Sequence, residues 1–162
     1  MFQMPKTTTS DTKKIRGFVF YLFLMVLSAH FFELVSEYFL GEDAEVQYFE
    51  KNTSLFKIFF VSVVIAPMLE TIVFQWLIYK IFYWLKINQL LYVYLISAAL
   101  FGLVHTYNMF TVLDAFIAGL IFIHYFHINY KNSAYSIMHV YLLHASYNFY
   151  AFCLDDLKLF QF

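Results

Sequence analysis

Apolar residues run almost unbroken through this chain, and the few charges and polar clusters divide the run into segments. A membrane-crossing helix needs about 20 predominantly apolar residues. Gly17 to Phe32 is free of charge, and the segment continues to Leu40 through Glu33 and Glu37. Ile58 to Tyr79 is interrupted by one charge, Glu70. Ile87 to Leu113 holds none, which is too long for one span and too short for two, so the break is placed at the polar cluster Thr106, Tyr107 and Asn108. A fourth span then covers Met109 to Tyr130 and contains Asp114, and a fifth covers Asn132 to Leu154. The pattern predicts an all-α polytopic transmembrane bundle of five spans.

The expected organisation is a tail over 1–16, a first span with an acidic external loop over 17–55, a four-span core over 56–154 and a short tail over 155–162. Lys and Arg collect in short cytoplasmic loops. With the N-terminus inside, Lys6, Lys13, Lys14, Arg16, Lys80, Lys86 and Lys131 fall inside, and only Lys51, Lys57 and Lys158 fall outside. The N-terminus is therefore expected to be cytoplasmic, with Glu42, Asp43, Glu45 and Glu50 in the external loop. A signal peptide is the competing reading of the basic, then apolar, start. Only Ser28-Ala29 offers anything like a small-residue cleavage site, which weighs against it.

Composition narrows the class. The 162 residues are 62% hydrophobic and 13% charged, against about 45–50% apolar and about 25% charged in an ordinary soluble domain. A net charge of -1 excludes nucleic-acid binding by a basic face. A single cysteine, Cys153, excludes a disulfide framework. The aromatic share of 23% fits packing and interfacial belts.

Charge inside hydrocarbon costs roughly 2.5–3.5 kcal/mol on insertion scales, so each ionisable residue there needs a partner or a task. The second span has Glu70 within Ala66-Pro67-Met68-Leu69-Glu70-Thr71-Ile72-Val73-Phe74-Gln75. The third ends in Phe101-Gly102-Leu103-Val104-His105. The fifth holds His144 and Asn148, four apart and so on one helical face. A carboxylate, two imidazoles and a carboxamide thus come from three helices, a set suited to amide hydrolysis. That reaction needs a base for water, a donor for the developing oxyanion and an acid for the leaving amine. Glu70 and His105 are the candidates to activate water, and His144 and Asn148 the candidates to donate to the oxyanion. A divalent metal such as zinc, held by Glu70, His105 and His144, is the other arrangement these residue types allow. Spacing does not choose between the metal and the metal-free versions.

The order Ala66-Pro67 with Glu70, then Phe101 with His105, then His144 with Asn148, on successive spans, resembles the CAAX protease and bacteriocin-processing (CPBP or Abi) family over about Ile65 to Tyr150. The resemblance implies an intramembrane endopeptidase whose catalytic glutamate, histidines and asparagine are Glu70, His105, His144 and Asn148. Members have been described both as metalloproteases and as glutamate-dependent enzymes. The family usually reads Glu-Glu-x-x-x-Arg in its first motif, and here Thr71 and Gln75 stand at the second Glu and the Arg. One acid and one base are lost together, so local charge is unchanged, and a Thr hydroxyl and a Gln amide can still hydrogen-bond a carboxylate. The implied partners are a membrane-associated protein or peptide substrate and the lipid bilayer, and the implied location is a bacterial cell membrane. Neither a protein partner nor an oligomeric state is named by the sequence.

Other readings compete. Glu70 could pair with Gln75 or Tyr79 in a structural network, and His144 with Asn148 could be interhelical glue. The departures at Thr71 and Gln75 favour a non-catalytic relative acting in immunity or as a scaffold. A proton-coupled carrier is disfavoured because no inverted-repeat halves appear. His30, Glu33 and Glu37 are read as marking where the first span leaves hydrocarbon, and His124, His127 and His139 as interfacial or structural. Asp114 is a candidate hydrogen-bond partner for His105.

Overall fold

The computed structural model describes residues 11–41, 49–50, 52–130 and 133–157, and among these every regular element is helical. There are five helices: α1 (Asp11–Leu40), α2 (Leu55–Trp84), α3 (Leu90–Leu103), α4 (Met109–Ile128) and α5 (Ser133–Asp155). Each matches an expected span to within a few residues. The largest differences are α1, which starts at Asp11 and so before the expected Gly17, and α2, which runs past both expected ends. Glu42, Asp43 and Glu45 of the acidic loop, the first ten residues, and Lys51, Lys131 and Lys158 lie outside the described residues.

Capping sets two of the starts. The Asn108 side chain accepts from the Thr111 amide at 2.9 Å to open α4, and Ser54 accepts from the Lys57 amide at 3.4 Å to open α2. Both occupy free N–H groups at a helix start. Between α2 and α3 the chain reverses through Lys86, which sits in the left-handed region at φ 57°.

The apolar residues do not segregate to an interior. Leu27, Leu69, Leu103 and Leu113 are exposed beside a core of Met25, Phe101, Phe122, Ile123, Phe126, Val140 and Leu143. Helices apolar on their outer faces as well as inside are stable where the solvent is itself apolar. Three of them, Lys14–Leu40, Leu55–Trp84 and Met109–Ile128, are long and apolar enough to cross a bilayer, while α3 at 14 residues is shorter. The protein is a helical membrane bundle.

Close packing of α3 on α4 holds the centre. At Gly119 an added Cβ would lie 2.8 Å from the Ala98 Cα, so the two backbones nearly touch there. Small residues permit such approach in membranes, where dispersion contacts replace the hydrophobic drive. By contrast α1 lies on the outside. It is tied to the rest by Met25, by Ser28 Oγ donating to Asp114 Oδ1 at 2.6 Å, and by His30 Nε2 paired with the Tyr150 hydroxyl at 2.7 Å.

The winding of α2 positions the site. The helix is α over Leu55–Phe59, π over Phe60–Ile65, α over Ala66–Glu70, π again over Thr71–Leu77, and α over Ile78–Trp84. Wide π turns inside α-helices are uncommon and gather at functional sites. Here Pro67 lies between them, a residue with no N–H to give to the helix ladder.

Candidate active site

Glu70 ends the short α segment between the two π turns of α2, and its side chain meets α5. Glu70 Oε2 lies 3.6 Å from His144 Nε2, with 25% of the glutamate side chain exposed and 4% of the histidine. The carboxylate therefore keeps a face at the surface of the bundle while its partner is sealed. At 3.6 Å the two groups face each other just beyond hydrogen-bond distance.

Aromatic rings fix the His144 plane. Its ring lies 4.4 Å from the Phe122 ring, tilted by 30°, and meets the Phe101 ring edge-on at 5.7 Å. His144 Nδ1 is buried with no hydrogen-bond partner. Phe101 also holds the other imidazole. The His105 ring packs 4.7 Å from it, and His105 Nδ1 lies 2.7 Å from the Phe101 carbonyl. A carbonyl only accepts, so Nδ1 is assigned the proton and Nε2 of a neutral His105 keeps its lone pair. His105 lies two residues beyond the end of α3, in the turn leading to Asn108.

Asn148, one turn along α5 from His144, donates from Nδ2 to the Ser62 carbonyl on α2 at 2.8 Å. One amide hydrogen is thereby used and a second remains. The pairs Glu70 with His144 and Ser62 with Asn148 form two rungs between α2 and α5, and their order shows the helices to be antiparallel. Sequence reasoning gave Ser62 and Phe122 no part in the site. Phe122 carried no signal, but a proline inside a helical run does mark an unpaired carbonyl about four or five residues earlier.

The supporting residues divide. Phe101 touches both imidazoles. Thr71 and Gln75 are fully buried in the second π turn, and Thr71 Oγ1, Gln75 Oε1 and Gln75 Nε2 have no hydrogen-bond partner, so neither residue bonds to Glu70. Asp114 corrects an expectation. Its carboxylate takes the Ser28 hydroxyl, where α1 packs along α4, and lies within electrostatic reach of His105 without a hydrogen bond to it. The remaining histidines have structural partners: His30 with Glu33 and Tyr150, His124 with Tyr94, His127 with Tyr79, and His139 with the Tyr135 carbonyl.

A divalent metal on Glu70, His105 and His144 requires three ligands to converge. Among the described residues no three His, Cys, Asp or Glu side chains do so. The set does not fit a three-ligand site in this arrangement.

Residues 52–150, more than half of the chain, match the type II CAAX prenyl endopeptidase Rce1-like family. The chain belongs to that family. No curated protein and no solved structure matches it. The match takes in Glu70, His105, His144 and Asn148 and leaves α1 outside. The Rce1-like family is a protease family, and the apolar helices of this chain agree with a place in the membrane.

Proposed function

We propose that this chain is an intramembrane endopeptidase that hydrolyses a peptide bond of a membrane-associated protein or peptide, in CAAX-type or bacteriocin-type processing. The observation that carries the reading is the Glu70 carboxylate, partly exposed and 3.6 Å from the sealed His144 imidazole within an apolar bundle. Glu70 takes a proton from water, and His105 accepts a second hydrogen bond from the same water through its free Nε2. The hydroxide adds to the scissile carbonyl. His144 Nε2–H and the second Asn148 amide hydrogen donate to the resulting oxyanion. The protonated Glu70 then gives its proton to the departing amine.

The test is cleavage of a membrane-anchored reporter by purified protein in lipid. Glu70→Gln keeps the shape and removes the base, and it is expected to lower kcat by about a hundredfold or more, since positioned acid–base groups contribute roughly 10²–10⁴-fold. Wild-type cleavage by Glu70→Gln would defeat the reading. Thr71 and Gln75, buried and without hydrogen-bond partners, favour a second one: a non-catalytic relative whose bundle holds a partner for immunity or scaffolding. That reading expects no cleavage by the wild type and a stoichiometric complex that survives Glu70→Gln.

A further inference from the structure

We propose that Asn148 supplies, from α5, the hydrogen-bond donor that Pro67 withholds from the α2 backbone, and that it thereby holds the π turn that aims Glu70. The Ser62 carbonyl stands at a break in the backbone ladder. In an α-helix its donor would be the Ala66 amide, four residues on. That amide is drawn one residue back, to the Val61 carbonyl, as the π register requires. In the π register the Ser62 donor would be the amide of residue 67, which is proline and has none. Both backbone solutions are closed at this one carbonyl. The Ser62 hydroxyl does not relieve it, since it donates to the Ile58 carbonyl at 2.8 Å. Asn148 Nδ2, at 2.8 Å, supplies the missing bond.

An unsatisfied backbone carbonyl is among the most costly features a helix can bear in hydrocarbon. The Asn148 bond removes that penalty only while the π turn persists. A single π turn advances the downstream residues by one position, which is roughly 100° around the helix axis. Glu70 lies just downstream of this turn. Relaxation to a continuous α-helix would swing its carboxylate away from α5 and from His144. Asn148 is thus a positioning residue for Glu70, acting through Ser62 and the helix, whatever its second amide hydrogen does to a substrate.

The proposal rests on the protease reading only for its effect on cleavage. The deciding experiment is a double-mutant cycle of Asn148→Ala and Pro67→Ala in the full chain in lipid–detergent micelles, read both as the folding equilibrium and as reporter cleavage. Pro67→Ala restores the amide that Ser62 lacks. With Pro67 in place, Asn148→Ala is expected to lower the folding constant by about ten-fold or more; in the Pro67→Ala background the loss should shrink to about three-fold or less. Asn148→Gln, which keeps the donor, should recover part of both stability and kcat with KM little changed. If Asn148→Ala yields too little folded protein, Asn148→Asp, which loses the donor at similar volume, takes its place in the cycle with the same coupling expected. Equal losses of stability in both backgrounds overturn the proposal, as does an Asn148→Ala protein of wild-type stability. A wild-type protein that cleaves no reporter but shows the coupling would defeat the protease reading and leave the positioning role standing.

Discussion

Gly119→Ala tests the packing that holds both imidazoles in place. The added methyl would lie 2.8 Å from the Ala98 Cα, 3.2 Å from the Phe101 Cβ and 3.3 Å from the Ala98 Cβ, where ordinary contact begins at 3.4 Å. The tightest neighbour is backbone, which cannot rotate aside, so α3 and α4 must part by about 0.6 Å. Overpacking of this kind costs about 1–3 kcal/mol. The better helix propensity of alanine returns about 0.8–1.0 kcal/mol. A net loss of about 1 kcal/mol is expected, measured as a lower unfolding temperature in detergent micelles. Gly17→Ala is the matched control, since nothing lies within 4 Å of its added Cβ, and it should leave the unfolding temperature level or raised. Cleavage should fall as well. The displaced Phe101 both accepts from His105 and abuts His144, and a misplacement near 1 Å can cost about a hundredfold in rate, so a loss on the order of ten-fold is expected from this smaller shift. A Gly119→Ala protein that unfolds at or above the wild-type temperature would refute the close approach of α3 and α4.

Two further outcomes are expected. Ser97 is fully buried and donates from Oγ to the Phe74 carbonyl in the second π turn of α2 at 2.7 Å, so Ser97→Ala should cost about 0.6–2 kcal/mol; an unchanged unfolding temperature would show that the bond contributes nothing. Because no three metal-ligating side chains converge among the described residues, reporter cleavage should survive exhaustive dialysis against a chelator. Loss of cleavage on dialysis, with recovery on adding zinc, would instead assign Glu70 and His144 to a metal.

The number of helices was legible because hydrocarbon demands long apolar runs, and polar punctuation such as Thr106 to Asn108 marks their ends. Span ends were less so. Val104 is as apolar as the residues before it, and what closes α3 is the turn in which the His105 amide bonds to the Gly102 carbonyl, which hydropathy does not register. The types of the site residues could be read, but not their pairing. Glu70 faces His144 from a segment that follows a π turn, and π turns leave no trace in an apolar pattern. Asn148 shows the same limit. Its partner is a backbone carbonyl, the one group that every residue carries and no sequence distinguishes, except where a proline removes the donor.

The peripheral place of α1 bears on how the protein is assembled. Only 6% of its most apolar stretch is buried, against 44% for α4, and it lies outside residues 52–150. A helix that asks so little of its neighbours is stable in the bilayer from the moment it is inserted, and the two-stage view of membrane folding lets it wait there. The other four helices can close on one another first. Helix α1 can then dock onto the closed set, latched at Ser28 and His30 by two hydrogen bonds that form only once Asp114 and Tyr150 are in their final places.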